Sequence, residues 1–133
     1  MGKEWSKLID GGNIWVDKYF SPGEFNCKCC GIELMDHDFI LLLCKIRADV
    51  GKPFNIASGY RCPGHNKQVS STGRNGPHTT GRSADIRADG KLKFDIIESA
   101  LKLGVTRIGV GKTFVHLDDL TDGRFSQRVI WGY

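Results

Sequence analysis

The spacing of apolar residues predicts a long amphipathic helix in the first half of the chain. Between residues 36 and 50, apolar side chains recur every three or four positions. Asp36 stands at the position of an N-cap, and Gly51 stands where helices commonly end in a left-handed residue. Cys44 falls on the side opposite the main apolar stripe, so we expect this helix to be buried on two faces.

A second amphipathic helix is predicted over residues 93–103. Its apolar stripe is expected to consist of Phe94, Ile97 and Leu101, with these side chains facing the core. Gly104 follows at the position of a helix stop. The helix therefore should pack one face on the rest of the protein and expose the other.

Alternating apolar and polar residues, bounded by glycine and aspartate, predict short strands. The predicted strands are 54–58, 83–87, 107–110, 113–117 and 129–131. A short helix is predicted over 63–69. Helices interleaved with hairpin-connected strands indicate an α+β fold with a small antiparallel sheet and flanking helices. We expect one domain over residues 1–133, with residues 1–18 as a candidate peripheral segment.

Composition and charge exclude several classes of protein. The chain is 133 residues long, with 40% hydrophobic and 26% charged residues, as in ordinary globular domains. Its net charge of +4 comes from scattered basic residues without a long run, so no nucleic-acid partner is expected. The longest apolar run, 39–44, is far shorter than the roughly 20 residues of a membrane helix. The first residues lack the apolar core of a signal peptide, so we expect synthesis in the cytoplasm without membrane insertion. We also expect the protein to be a monomer.

The cysteines allow two interpretations. There are five of them, an odd number, so they cannot all pair within the chain, and we expect them to be mostly reduced. Cys27, Cys29 and Cys30, joined by Cys62 or Cys44, could hold a structural zinc ion. The adjacent pair Cys29 and Cys30 departs from the usual spacing of zinc knuckles, which favours free and partly buried thiols.

Histidines and aspartates form a second candidate group. His78 precedes a turn that leads to Asp85 on a predicted strand, and His116 lies with Asp118 on one face of another strand. Two histidines and one aspartate, with a fourth position open, are a ligand set of catalytic zinc sites. By spacing alone the signal is weak, because a histidine on a strand is more often a hydrogen-bonded structural residue than a metal ligand.

The sequence around these residues resembles that of a known family. Four segments, in their order along the chain, resemble the zinc D-Ala-D-Ala carboxypeptidases. They are 58–61, 65–66, 78–86 and 114–118. The segments 19–27 and 131–133 also resemble members of this family. That family also includes bacteriophage L-alanyl-D-glutamate endopeptidases and relatives of the hedgehog signalling domain. The resemblance extends over 19–133 and implies the fold of the hedgehog and D-Ala-D-Ala peptidase type.

The resemblance implies roles for individual residues. The implied zinc ligands are His78, Asp85 and His116. Arg61 would hold a substrate carboxylate or carbonyl, a task that suits its planar, bidentate guanidinium. Ser58 would help to shape the substrate pocket or serve only as a turn residue. His65 would support a ligand from behind or stand in solvent.

The position of the general base departs from the family pattern. Many members carry an acidic residue three places before the last ligand, where this chain has Thr113. Asp118 is the acid on the same strand face as His116. It could transfer the proton, or it could orient the ligand histidine. Asp119 and Asp122 are further candidates.

The expected function is that of a zinc metallopeptidase that cuts stem peptides containing D-amino acids in bacterial peptidoglycan. A phage or prophage lysis enzyme, reaching the cell wall through another protein's pore, fits the resemblance, the small size and the missing signal peptide, and the mild positive charge would help it to find the wall. A non-catalytic zinc-binding protein of the phage particle or the wall is the alternative from another class. A peptidase acting on a free D-Ala-D-Ala dipeptide is the third possibility.

Overall fold

The computed structural model describes residues 19–121, 125 and 127–133. The predicted segment 1–18 lies outside the described residues. Two 3-10 helices, Pro22–Phe25 and Pro77–Thr80, accompany the regular elements. The helices are α1 (His37–Val50), α2 (Pro63–Val69) and α3 (Gly90–Lys102). The strands are β1 (Asn55–Ser58), β2 (Ser83–Arg87), β3 (Arg107–Val110), β4 (Phe114–Asp118) and β5 (Val129–Gly132).

The α+β class is confirmed, but the sheet is mixed. Its five strands lie in the order β1-β2-β4-β3-β5. The pairs β1–β2, β2–β4 and β3–β4 are antiparallel, as expected, whereas β5 pairs with β3 in parallel. β5 lies at the edge of the sheet beside β3, and it runs in the same direction as β3 and opposite to β4. In the described part of the chain, no helix has the length and apolar character needed to cross a membrane.

The two faces of the sheet separate the core from the polar residues of the candidate site. Successive side chains of a strand point to opposite faces. The core face is formed by Ala84, Ile86, Ile108, Val115 and Leu117, all fully buried. The opposite face carries Asp85, Arg107, His116 and Asp118, which are also buried. Polar side chains thus lie on one side of the central strands because their sequence alternates strictly.

Helix α1 follows the predicted pattern. The Asp36 carboxylate accepts a hydrogen bond from the Phe39 amide at 3.0 Å, which caps the first turn. Gly51 ends the helix with φ of 77°, in the left-handed region. Leu43 and Cys44 are both fully buried, as expected for a helix covered on two sides.

Helix α3 presents a different face from the predicted one. Phe94 is 65% exposed and Leu101 is 50% exposed, so the expected inward stripe is wrong at both positions. The buried residues are Ile96, Ser99 and Ala100. Small side chains at 99 and 100 let the helix backbone approach its neighbours closely, whereas the bulkier residues would hold it away.

Candidate metal centre and cleft

Three predicted ligands converge on the polar face of the sheet. His78 comes from the 3-10 helix Pro77–Thr80, while Asp85 and His116 face each other as register partners on β2 and β4. One ligand atom from each residue lies within 4.8 Å of the other two. His116 Nδ1 is 2.8 Å and His78 Nε2 is 3.3 Å from Asp85 Oδ1. The donor set and its spacing fit a divalent metal with an open position.

Each imidazole is oriented by a hydrogen bond on its far nitrogen. His78 Nδ1 donates to the carbonyl oxygen of Gly59 at 2.8 Å. His116 Nε2 donates to Asp118 Oδ2, also at 2.8 Å. Such contacts determine the tautomer and leave the other nitrogen free to bind a metal. Here those nitrogens, His78 Nε2 and His116 Nδ1, both face Asp85.

The electrostatics of the three groups favour a positive charge between them. Burial raises the pKa of Asp85, but hydrogen bonds from His116 and His78 outweigh it and hold that pKa well below its usual range. Burial lowers the pKa of His116, yet its hydrogen bonds to Asp118 and Asp85 raise it above the ordinary value. Two buried carboxylates, Asp85 at the centre and Asp118 behind His116, thus stabilise a positive charge here, whether a proton or a metal ion.

Gly59, whose carbonyl oxygen accepts from His78, packs closely against Phe25 because it has no side chain. A Cβ at this position would lie 2.7 Å from Phe25 Cα, a backbone atom that cannot yield cheaply. We expect Gly59→Ala to lower the free energy of unfolding by about 1–3 kcal/mol through overpacking. The Gly59 carbonyl would also be displaced from His78.

Urea unfolding of the zinc-saturated protein measures this effect, with Gly64→Ala as the matched control. Gly64 lies in α2 with nothing within 4 Å of a built Cβ. Its replacement should be neutral or stabilise by up to about 1 kcal/mol. Equal unfolding midpoints for Gly59→Ala and the wild type would contradict the steric argument.

Asp118 lies behind His116 and away from the cleft. It is fully buried, and its Oδ1 accepts hydrogen bonds from Arg107 Nε at 2.7 Å and from the Leu120 amide at 3.3 Å. Its Oδ2 accepts from His116 Nε2. Both oxygens are therefore occupied, and neither is presented to a substrate. This geometry supports the orienting role and does not support the predicted proton transfer.

Of the other acidic candidates, only Asp119 lies in the described part of the chain, and it does not line the cleft. Asp119 forms a bidentate pair with Arg82, Nε–Oδ1 2.9 Å and Nη2–Oδ2 2.8 Å. Asp122 lies outside the described residues. Thr113 is exposed, and its carbonyl oxygen accepts from the Ala88 amide at 3.0 Å. Among the described residues that line the cleft, Asp85 is the only carboxylate.

Arg61 lies beside the predicted metal ligands. Its Nη2 is 3.7 Å from Asp85 Oδ2, and its side chain is 17% exposed. Arg61 Nε donates to Ser58 Oγ at 3.2 Å, and Nη1 donates to Asn66 Oδ1 at 3.1 Å. Ser58 thus contacts the arginine and is not among the residues lining the cleft. The guanidinium is held in place while one edge remains directed at the centre.

Asn66 extends the site beyond the predicted residues. Asn66 is 1% exposed and also donates to Thr72 Oγ1 at 2.8 Å, which ties α2 to the following loop. It stands next to His65, whose Nδ1 is buried and has no hydrogen-bond partner among the residues that the structure describes. The sequence signal for Asn66 was its place in the segment 65–66. Its partner Arg61 could not be identified from spacing alone.

The site opens into a cleft of about 870 Å³. Its wall includes Arg61, His78, Arg107, Phe114, Trp131 and Tyr133. The Trp131 ring centroid is 5.4 Å from that of His116, and the Arg107 guanidinium lies 5.1 Å from the Trp131 centroid. A cleft of this size accommodates a short peptide, with cationic and aromatic groups to orient it.

Comparison with protein families shows which family the chain resembles. The family model described as Peptidase M15 matches residues 18–118, a span that contains His78, Asp85 and His116. No curated protein matches the chain.

Proposed function

The chain belongs to the peptidase M15 family, and from this premise we infer that it is a zinc metallopeptidase cleaving stem peptides of bacterial peptidoglycan. The family itself supports a hydrolase acting on substrates of the peptidoglycan type. The observation that carries the proposal is the convergence of His78, Asp85 and His116 beside Arg61, at the wall of an open cleft.

His78, Asp85 and His116 would hold the zinc ion on which M15 peptidases depend. When bound, zinc supplies Lewis-acid chemistry, activating water and polarising a peptide carbonyl. The protein contributes the orientation of the ligands. Gly59 and Asp118 hold the two imidazoles from behind, so the three ligand atoms need little rearrangement when a cation binds.

Arg61 would bind a carboxylate or carbonyl of the substrate and stabilise negative charge as it develops there. Its planar fork can form two parallel hydrogen bonds with a carboxylate, which an ammonium group cannot match. Contacts with Ser58 and Asn66 restrain the guanidinium before substrate arrives. Such preorganisation lowers the free energy needed to orient charge in the transition state.

The aromatic wall would position the peptide, and stem peptides suit the cleft chemically. They are short, they contain free carboxylates, and they combine small apolar alanines with charged residues. Trp131 and Tyr133 offer flat apolar surfaces, while Arg61 and Arg107 offer positive charge. The resemblance of 19–27 and 131–133 to small phage members supports a role in phage or prophage lysis, with action on the cell wall.

Hydrolysis of purified peptidoglycan, with the released products identified by mass, tests the proposal. We expect products that disappear with chelator and return with zinc. Free D-alanine would identify a carboxypeptidase, and split stems would identify an endopeptidase at L-Ala–D-Glu. Cleavage of the D-Ala-D-Ala dipeptide without any action on the wall would instead assign the cytoplasmic dipeptidase function.

A non-catalytic zinc-binding role is the second candidate. It is favoured by Thr113 at the place of the family's acid and by the absence of a second carboxylate in the described wall of the cleft. A folded, zinc-loaded protein that binds peptidoglycan but releases no product from several wall types would establish this role and contradict the peptidase.

Asp118→Asn distinguishes an orienting carboxylate from a general base. If Asp118 acts through His116, we expect zinc affinity to fall by about 10–100-fold. Activity should recover at saturating zinc, with an unchanged pH–rate profile. If Asp118 accepts the proton, the variant should keep its zinc, stay inactive at saturation and lose the acidic limb of the profile.

Zinc titration, circular dichroism and the pH profile are measured together, because the change also leaves Arg107 with a neutral partner in the interior. Asp119→Asn is the matched control, since Asp119 pairs with Arg82 outside the cleft lining. It should keep the wild-type zinc affinity and pH profile.

A further inference from the structure

Four of the five cysteines lie together beside the loop that carries Arg61. Sulfur atoms of Cys27, Cys29, Cys30 and Cys62 all lie within 4.8 Å of one another. Cys29 Sγ is 3.6 Å from Cys27 Sγ and 3.4 Å from Cys62 Sγ. In a tetrahedral zinc site with Zn–S bonds of about 2.3 Å, sulfurs are roughly 3.8 Å apart. The spacing therefore matches a tetrathiolate site.

A tight turn explains how adjacent cysteines can contribute to one site. The Gly31 amide donates to the Cys27 carbonyl at 2.9 Å, and the Cys27 amide donates to the Ile32 carbonyl at 2.8 Å. Gly31 has φ of 76°, which permits the reversal. The turn gathers three thiols, and Cys62 supplies the fourth from a distant part of the chain. The unusual spacing of Cys29 and Cys30 thus does not exclude a metal, whereas Cys44 is not part of the cluster.

Backbone amides support the sulfurs as thiolates. The Cys62 amide donates to Cys27 Sγ at 3.3 Å, and the His65 amide donates to Cys62 Sγ at 3.4 Å. Hydrogen bonds from N–H groups to ligand sulfur stabilise the deprotonated form that binds metal. Cys29 and Cys30 are exposed, so an ion can enter from solvent.

We propose that Cys27, Cys29, Cys30 and Cys62 bind a second zinc ion, whose role is structural. Four protein ligands close the coordination shell and leave no position for substrate. Soft thiolates select zinc over magnesium or calcium. The site is distinct from the His78 centre in both ligands and chemistry.

The second zinc would hold the Arg61 loop in place. This zinc would join the turn after the first 3-10 helix to the segment that follows β1. In that segment, Gly59 accepts a hydrogen bond from His78, and Arg61 faces Asp85. The same two segments already meet through the Tyr60 amide, which donates to the Phe25 carbonyl at 3.0 Å. The cysteine site therefore supports two contacts of the peptidase centre from outside it.

Metal analysis of the whole protein, purified with reductant, tests the proposal. We expect two zinc ions per chain in the wild type and in Cys44→Ala, the control that removes a thiol outside the cluster. The double variant Cys29→Ser with Cys62→Ser should retain one. His116→Ala should also retain one zinc ion, the one at the cysteine site, because it loses the zinc at the His78 centre. Failure of the peptidase proposal and failure of the cysteine site therefore give different zinc contents across these variants.

Cobalt substitution identifies which site is filled. The near-ultraviolet sulfur-to-cobalt charge-transfer band should appear in the wild type, Cys44→Ala and His116→Ala, and vanish in the double cysteine variant. If that variant does not fold, mercurial titration of the wild type replaces it, with one zinc released as four thiols react. A wild type with a single zinc and no charge-transfer band would overturn the proposal.

Discussion

Replacing His116 by alanine is expected to abolish peptidoglycan hydrolysis, with a loss of at least about 10³-fold. His116 is 1% exposed and supplies Nδ1 next to Asp85 Oδ1. Alanine removes one of the three proposed ligands and leaves the two buried carboxylates facing each other without the imidazole. Zinc binding at this centre should fail, and with it the activation of water and the polarisation of the carbonyl.

The measurement pairs the hydrolysis rate with zinc content, and His37→Ala is the matched control. His37 is exposed at the first position of α1 and is not among the residues that line the cleft. It should keep full activity and full zinc. A His116→Ala protein that is folded and still hydrolyses the wall at the wild-type rate would remove the metal centre from the mechanism.

Arg61→Lys is expected to reduce kcat/KM by about 10²–10³-fold while zinc stays bound. Lysine keeps the charge but loses the planar fork, so it cannot bind Ser58, Asn66 and a substrate carboxylate at the same time. The three contacts of Arg61 in the structure use Nε, Nη1 and Nη2 separately. A single ammonium group can replace only part of this arrangement.

Steady-state kinetics on a defined stem peptide check the result, with zinc measured in the same samples. Arg87→Lys is the control, because Arg87 is exposed on β2, the strand that carries Asp85. It should leave kcat/KM unchanged. A rise of KM alone in Arg61→Lys would indicate substrate binding, whereas a fall in kcat would indicate a contribution to the transition state. Unchanged kinetics would exclude Arg61 from both.

The regular elements were predictable because their signals are local. Helix α1 begins after Asp36 and ends at Gly51, as expected from capping alone, and β2 spans the predicted residues 83–87. The alternation in β4 likewise predicted that His116 and Asp118 share a face, and they do. Short-range sterics and hydrogen bonds determine these features, so the residues themselves are sufficient evidence.

The inward face of α3 was not predictable in the same way. Phe94 and Leu101 are the more hydrophobic choice, yet Ser99 and Ala100 face the interior. The number of bulky residues that fit depends on how closely α3 approaches its neighbours, which is a property of the packed core. Likewise, the parallel pairing of β5 with β3 depends on where the chain returns to the sheet.

The sequence by itself determined the α+β class, most element boundaries and the candidate ligands His78, Asp85 and His116. Only the tertiary structure decided what surrounds them. It buried Asp118 behind His116 and brought Cys62 to the three cysteines of a distant turn. The physical reason is that hydrogen bonding and metal coordination depend on distances of a few ångströms between residues far apart in the chain, which only the folded backbone establishes.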